Sequence, residues 1–444
     1  MEKIYSLVDK YRQLILDAER YIWANPETGY KEYKTTKYLA EKFEELGYKL
    51  TYAKDVTGFY TEIDTGKEGP CVLVLGELDA VLCPTHPDAD KETGAVHACG
   101  HNAQCASLLG IACLLTEKEV LDGLCGKIKL CAVPAEELLE IEYRNQLIKK
   151  GIIKYMGGKT EFLSRGYFDD VDIAFMVHTA SIFASRKKAV GIIAKNIIYK
   201  GVAAHAGGSP HDGKNALYAA NCGLNAVNAL RETFREKDFI RVHPIITNGG
   251  AIVNGIPDKV TLESYVRGLT YDAIVRENKK VNRAIIGSAL SLGVNVEIID
   301  IPGYAPLDND MNMILLAKEA FEKVFPGQVF PVDVNDIGTG STDMGDLSCV
   351  IPSVHPYCAG ASGAGHGSNY QITDPEKACV MNAAWQVGML KMLLSNNAER
   401  AKKVIAEFKP KFASKQEFLS FLDGINDSGD RIAYVDDNNA NVRL

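Results

Sequence analysis

The sequence predicts an α/β protein, with a larger, mostly parallel-sheet domain interrupted by a smaller β-α-β-β-α-β domain. Three observations carry that prediction. Before residue 190, short and nearly continuous apolar runs (GFYTEID, PCVLVLGEL, KIKLCAVPA, DIAFMVH) alternate with helical stretches, the pattern of strands buried on both faces by crossover helices. From about Val190 the order becomes strand, helix, strand, strand, helix, strand. After Pro306 the first texture returns. At 444 residues the chain exceeds a single ordinary core, and it divides as 1–189, 190–306 and 307–444.

Taken in order, residues 4–25 and 33–47 read as amphipathic helices joined by Asn25-Pro26-Glu27-Thr28-Gly29-Tyr30. The four apolar strands follow, with a helix over Gln104–Thr116 between the second and third. Chemistry in such sheets gathers at the C-terminal strand ends, and these strands end near Asp79, Glu136 with Glu137, and His178. The inserted unit offers strands in GIIAKNIIYKGVAAHA, HPIITNGG, KVTLESYVRGLT and VNVEIIDIPGYAPL, with helices over NALYAANCGLNAVNALRETF and AIVRENKKVNRAIIGSALSLG. Beyond it lie a helix over MNMILLAKEAFEKVF, the Gly-rich GTGSTDMGDLSCVIPSVHP and a helix after Asp374-Pro375. The last segment, about forty residues rich in Lys, Asp and Asn, is expected to be a helical surface appendage.

Composition excludes several classes of function. A net charge of −8 without a basic run argues against nucleic acid or an anionic membrane as the main partner. The N-terminus is charged throughout, unlike a signal peptide, and no apolar run reaches the length of a membrane span. The eleven cysteines are scattered in apolar stretches, as expected of reduced, buried thiols in a cytoplasm.

Histidine is scarce, nine in all, so its placement is informative. In VHACGHNAQC, Cys99 and His101 flank a glycine, and that spacing lets a thiolate and an imidazole converge on one cation. In PAEE, Glu136 and Glu137 end a buried strand, where adjacent carboxylates need a cation or a proton. Their side chains diverge, so one suits a metal and the other a substrate. Glu140 and Glu142 lie close enough to be confused with this pair. His178 ends AFMVH, and His366 sits in GASGAGHGSNY; Asp79 and Asp343 are carboxylates able to orient a ligand histidine. Cys99, His101, Glu137, His178 and His366 together make five donors, enough for one metal with an open position and better suited to two.

The linear order GELDA, HACGHN, PAEE, strand-end His, KGVAAHAGGSPHDGKNAL, NGGAIVNGIPD, YVRG, GSTDMGD and Gly-flanked His resembles one family over residues 10–395. That family is the dinuclear metallopeptidases of the aminoacylase and glutamate carboxypeptidase type, in the amidohydrolase branch of indole-acetyl-amino-acid, p-aminobenzoyl-glutamate and N-acyl-amino-acid or dipeptide hydrolases. The resemblance implies a metal-dependent amidohydrolase with two divalent transition ions, zinc or manganese, held by Cys99, His101, Glu137, His178 and His366. It implies Glu136 as general base for a metal-activated water and Asp79 as support for the metal centre. It also implies that His205 is lent across a dimer interface to polarise the carbonyl. Asn248 or Asn254 and Arg267 would hold the substrate carboxylate, and the inserted domain, ferredoxin-like, would be the lid and the dimerisation surface of a cytoplasmic homo-oligomer.

The sequence departs from the commoner pattern at Asn102 and Gln104, where many relatives of the branch have Asp and His. If Gln104 meets the substrate, specificity differs from the auxin-conjugate type. Residues 138–162 replace a Gly-rich stretch with a longer, helix-like one beside the presumed base. Other readings are a dipeptidase or carboxypeptidase of the same family, a metal-bound binder without turnover, and, weakest, a Cys99–Cys105 redox pair lacking the usual spacing.

Overall fold

The computed structural model of the protein describes residues 2–436 and 438–444. Helices Arg12–Trp23 (α1) and Tyr33–Glu45 (α2) precede strands Thr51–Tyr52 (β1), Phe59–Asp64 (β2) and Cys71–Glu77 (β3). Helix His101–Leu115 (α3), strand Lys127–Val133 (β4), helices Ile141–Lys149 (α4) and Gly158–Ser164 (α5), and strand Ile173–Phe175 (β5) follow. The inserted unit contains Gly191–Lys200 (β6), Ala216–Leu230 (α6), Arg241–Val242 (β7), Ile245–Asn248 (β8), Lys259–Gly268 (β9), Tyr271–Ser291 (α7) and Asn295–Pro302 (β10). Met311–Val324 (α8), Ser353–Val354 (β11), Asn382–Leu394 (α9), Lys415–Ile425 (α10) and Asp427–Asp430 (β12) complete the elements used below.

The architecture is mixed α/β. One sheet runs β1-β2-β4-β3-β5-β11, with β4, β3, β5 and β11 parallel and β1 and β2 antiparallel at the edge. Every residue of β3 is buried, which is why its sequence shows no alternation. Helix α3 is buried along its whole length behind that sheet, packing on α1 and α9. It begins three residues before the expected Gln104, because Gly100 ends the preceding turn with φ 90°. A Cβ at Gly100 would lie 2.4 Å from the Tyr370 hydroxyl, so only glycine fits there.

The second sheet, β7-β9-β6-β10-β12 with β8 also on β9, is antiparallel throughout. Strand β9 alternates buried and half-buried residues, as a sheet covered on one face requires. Helices α6 and α7 cover that face.

The C-terminal segment is not the purely helical appendage expected. Helix α10 buries Phe418, Leu419 and Leu422 in the same core as Leu73 and Leu75 of β3. Strand β12 then pairs with β10, so the segment straps the inserted sheet to the larger domain. Its Asp-Ser-Gly-Asp composition is poor for a strand and gave no sequence signal; main-chain pairing and the Arg431–Asp427 contact at 2.8 Å hold it. No helix among the described residues is long and apolar enough to cross a membrane.

Candidate active site

The site follows from sheet order. Strands β4, β3 and β5 are adjacent and parallel, so their C-terminal ends open at one edge. β3 delivers Glu77 and Asp79, β4 delivers Glu136 and Glu137, and β5 leads to His178. The N-terminus of α3 adds His101, with Cys99 two residues earlier. A loop between Ala361 and Tyr370 brings His366, itself in the left-handed region at φ 62°.

The five expected donors converge. Cys99, His101 and His178 offer ligand atoms within 4.8 Å of one another, as do Cys99, Glu137 and His366. Cys99 Sγ lies 3.4 Å from His178 Nε2, and His366 Nε2 lies 2.9 Å from Glu137 Oε1. His178 Nδ1 donates to the Thr179 carbonyl at 2.7 Å, which leaves Nε2 free to act as a donor of its lone pair. His101 Nδ1 faces the Asp79 carbonyl at 2.9 Å and Oδ1 at 3.2 Å; its Nε2 is turned to the Glu77 carboxylate at 3.1 Å and lies 3.9 Å from Glu136. A histidine oriented through one nitrogen by a carboxylate, with the other turned into a cluster of thiol, imidazole and carboxylate groups, suits a metal ligand. Asp79 also accepts the Glu137 backbone N–H at 2.8 Å, so it fixes two of the donors at once. This set of thiol, imidazoles and carboxylates fits divalent transition ions.

The electrostatics agree. Burial and the Glu137 carboxylate both oppose ionisation of Cys99, yet His101 and His178 bring its thiol down to about 6. Burial likewise opposes ionisation of Glu137, and His366 overcomes it, pulling the carboxyl to about 2. Glu136 moves the other way: burial first, then Glu77, Glu137 and Asp343, hold it far above the ordinary carboxylate range. Two neighbouring carboxyls pushed apart in this manner take the distinct roles of ligand and proton carrier.

Glu136 is held firmly. Ala135 before it has φ 56°, a left-handed conformation uncommon outside glycine. That turn is pinned by Glu32, which accepts the Ala135 N–H at 2.8 Å, and by Arg144, which donates to the carbonyls of Ala135, Glu137 and Met156. The Tyr304 hydroxyl donates to the Glu136 carbonyl. Behind it, fully buried Lys159 bridges Glu77 and Asp343 at 2.5 Å each and donates its backbone N–H to Asp343 at 2.9 Å. A Cβ at Gly158 would lie 1.7 Å from the Pro134 carbonyl, so glycine lets α5 press directly against this turn.

Glu136, Glu137, Cys99, His178 and His366 line a cavity of about 540 Å³. The loop 339–342 and Arg241, His243, Tyr265 and Arg267 of the inserted unit form its far wall. Arg267 donates to His243 Nε2 at 3.1 Å and to the Ser341 hydroxyl at 2.9 Å. Leu138 and Leu139 line the cavity too, so the start of the 138–162 segment contributes to one wall. Glu140 is turned away, bound to Lys31 at 2.6 Å and Thr28 at 2.6 Å.

Other expected residues do not join this cavity. His205 is exposed on the inserted unit, its Nδ1 accepting the Gly207 and Gly208 N–H groups at 3.1 and 2.8 Å. Asn248 is exposed and accepts the Gly250 N–H at 3.2 Å; Asn254 offers its carbonyl to Ala206. Gln104 and Asn102 correct the sequence reading: both are buried in α3 and neither lines the cavity. Asn102 instead binds Glu19 at 2.8 Å. The helix runs inward from His101, so residues just after it face the core. Cys105 donates to the Glu77 carbonyl at 2.8 Å and has no cysteine partner.

Sequence reasoning missed Glu77, Lys159, Arg144, Tyr304 and His355. Glu77 stood in the same GELDA motif as Asp79. Lys159 followed Gly157-Gly158, a pair that signals close packing. His355, buried at the cavity wall beside His178 with both ring nitrogens unpartnered among the described residues, gave no signal beyond the scarcity of histidine.

Comparison with known proteins accords with this geometry. The profile of peptidase family M20/M25/M40 matches residues 73–389. The chain is 28% identical over 362 residues to a mouse (Mus musculus) Xaa-Arg dipeptidase, covering 79% of this chain and 77% of that protein. It is 26% identical over 352 residues to an indole-3-acetyl-aspartic acid hydrolase of Enterobacter agglomerans, covering 67% and 75%. Among solved structures, a dinuclear metal binding peptidase of the M20 family from Bacillus subtilis superposes with a TM-score of 0.63 at 20% identity, covering 87% of this chain and 99% of that one.

Proposed function

We propose a specific reaction for this chain, which belongs to peptidase family M20/M25/M40 and is a hydrolase of amide bonds. It hydrolyses the amide of a small N-acyl amino acid or dipeptide-like substrate, with Glu136 as general base. The observation that carries this reading is the convergence of Cys99, His101, Glu137, His178 and His366 on the cavity that the buried Glu136 carboxyl lines.

Cys99, His101, Glu137, His178 and His366 would hold two divalent ions, zinc or manganese, which would supply Lewis acidity for the scissile carbonyl and the attacking water. Glu136 takes the proton of the water and passes it to the departing amine; its raised proton affinity suits the second half of that task. Asp79 keeps His101 and Glu137 in place through the contacts described above. Lys159 keeps Glu77 and Asp343 satisfied, so that neither buried carboxylate is left uncompensated behind the base. Arg267 binds a substrate carboxylate, its planar fork being suited to that group.

The inserted unit is the lid and dimerisation domain in this reading, with the ferredoxin-like strand order β7-β9-β6-β10 supporting it. Its outer face exposes Ile245, Ile246, Ile252 and Val253 near the loop that carries His205. Covering that face with a second copy would bury the apolar residues, and His205 of the partner subunit would then reach the carbonyl, with Asn248 and Asn254 at the same junction. The eleven unpaired cysteines suit a cytoplasmic setting.

The test joins metal analysis to turnover. Purified protein should carry about two transition ions per chain, release free amine from N-acyl amino acids, and lose and regain that activity with chelation and metal return. A protein that holds no such ion, or whose hydrolysis is indifferent to chelator, does not carry out this reaction.

A further inference from the structure

The cavity has its walls on two units: Cys99, Glu136, Glu137 and His178 on the larger domain, Arg241, His243, Tyr265 and Arg267 on the inserted sheet. Its width therefore depends on how the inserted unit is held. The chain enters that unit at Gly191 and leaves it at Pro302, and the two crossings lie side by side. Ile192 donates its N–H to the Tyr304 carbonyl at 2.8 Å and accepts the Gly303 N–H at 3.1 Å. A Cβ on Gly191 would lie 2.5 Å from the Pro306 nitrogen, so the crossings are in direct contact. Two adjacent crossings define one axis, and an axis alone leaves rotation about it free.

The C-terminal segment supplies a third attachment. Helix α10 is anchored in the larger domain by Phe418, Leu419 and Leu422, by the Lys415–Asp169 pair, and by Asp423, which accepts the Tyr155 hydroxyl at 2.8 Å. Strand β12 then pairs with β10 from Asp427 opposite Asp300 to Asp430 opposite Glu297. Beyond it the Arg431 N–H reaches the Val296 carbonyl at 2.9 Å, and the Tyr434 hydroxyl reaches the Val294 carbonyl at 3.1 Å. Val296 stands six residues before Pro302 on β10, so about 20 Å of strand separates this grip from the crossings. Phe421 of α10 also meets Tyr271 of α7, at 4.8 Å between ring centroids. That contact lies just past Gly268, which pairs with Gly191 at the crossings, and so has little leverage against rotation.

Charge holds the grip in one register. Asp300 and Asp427 are cross-strand partners, and each carboxylate has its own cation, Lys195 for Asp300 and Arg431 for Asp427. Arg431 is 1% exposed and also donates to the Ile298 carbonyl at 3.1 Å. A slip by one residue would separate this buried guanidinium from both acceptors. Both α10 and β12 lie beyond residue 389, where the family match ends.

We infer that the C-terminal segment is a strap that sets the spacing of the cavity walls, with Arg431 as the positioning residue of its grip on the inserted sheet. With β12 docked, β10 is held near both of its ends, and Arg267 is kept at a fixed distance across the cavity from Glu136. Only the kinetic part of the test rests on the hydrolase reading.

The test inserts a flexible Gly-Ser segment of about eight residues between Asn426 and Asp427 of the full chain. The contacts of α10 and of β12 stay in place, and only the connection between them is slackened. A matched insertion between Lys409 and Pro410, ahead of α10, is the control. Spin labels on exposed Cys222 of α6 and on Lys37→Cys of α2 report the distance between the units, in zinc-loaded protein diluted with unlabelled chain. Wild type and control should give one narrow distance, and the first insertion a broad distribution. With the N-acetyl amino acid that the wild type cleaves best, KM should rise roughly tenfold while kcat stays within about twofold. That split is expected when the working spacing is populated about a tenth of the time and substrate restores it. Arg431→Gln should move both readouts in the same direction. An unchanged distribution, an unchanged KM, or an equal change in the control would overturn the assignment. If no amide is cut, the hydrolase reading fails and the distances alone decide: broadening in the first insertion supports the strap, and a narrow distribution overturns it.

Discussion

The two six-stranded sheets hold their functional side chains in opposite ways. At the ends of β3 and β4, Glu77, Asp79, His101, Lys159 and Asp343 are wholly enclosed, and each touches another member of the group. On the inserted sheet, His205 and Asn248 are exposed and satisfied only by glycine N–H groups of their own loops. Beside them Ile252 is 67% exposed and Val253 fully so. The inserted unit does enclose charged groups, among them Lys195 with Asp300, Asn278 and Asn282, but that network lies under α7 on the covered face. The difference separates a centre whose polar groups satisfy one another from a face whose polar groups and apolar side chains stand open to solvent.

The sharpest way to break that contrast is at Glu136. Glu136→Gln preserves shape and removes the proton carrier, so kcat should fall by roughly 10²- to 10⁴-fold. Metal content measured by mass spectrometry should stay at the wild-type value if Glu136 acts as the proposed base rather than as a ligand. Retained turnover would mean that the enclosed centre is not where the amide is cut.

The exposed face gives a somewhat smaller effect. His205→Ala should lower kcat by roughly 10²- to 10³-fold, the cost of one donor to the developing oxyanion. Mixing that variant with Glu136→Gln protein should restore activity. In a two-fold dimer half the pairs are mixed and each has one whole site, so about a quarter of wild-type activity returns. No recovery, with exchange of subunits verified by native mass spectrometry, would place His205 outside the reaction or inside its own chain.

The same contrast explains what was readable from the sequence. The convergence of Cys99, His101, Glu137, His178 and His366 with Glu136 was legible because each lies at a strand end or in a short glycine-bearing motif, where local pattern and position coincide. The all-apolar run of β3 and the change of texture at Val190 were visible for the same reason. Lys159 was not, because its partners lie 82 and 184 residues away, and no periodicity reports an ion pair formed across the fold. The start of α3 was misplaced because His101 and Asn102 look like loop residues until the core around them is known. Gln104 looked like a substrate contact for the converse reason: its neighbours in sequence are functional, but the helix turns it inward. Strand β12 had no signal at all, since a polar edge strand owes its conformation to the strand beside it.

The smallest expected effect tests how tightly the centre is enclosed. Glu32 is fully buried and accepts the Ala135 N–H at 2.8 Å and the Thr57 hydroxyl at 2.5 Å. Burial first, and then the Asp79 charge, raise its carboxyl from the ordinary 4.5 to about 8. Between those values the folded chain retains a proton that the unfolded chain has released. The stabilisation from Glu32 is therefore complete below pH 4.5 and is lost as pH rises toward 8, by up to about 1.4 kcal/mol per pH unit. Glu32→Gln keeps a neutral acceptor for Ala135 and titrates nowhere in that window. Urea unfolding at pH 5, 6, 7 and 8 should show the wild type losing stability relative to the variant at each step. Parallel curves would mean that Glu32 ionises inside the fold at little cost, and that the carboxylates behind Glu136 are compensated by more than Lys159 and the neighbouring N–H groups.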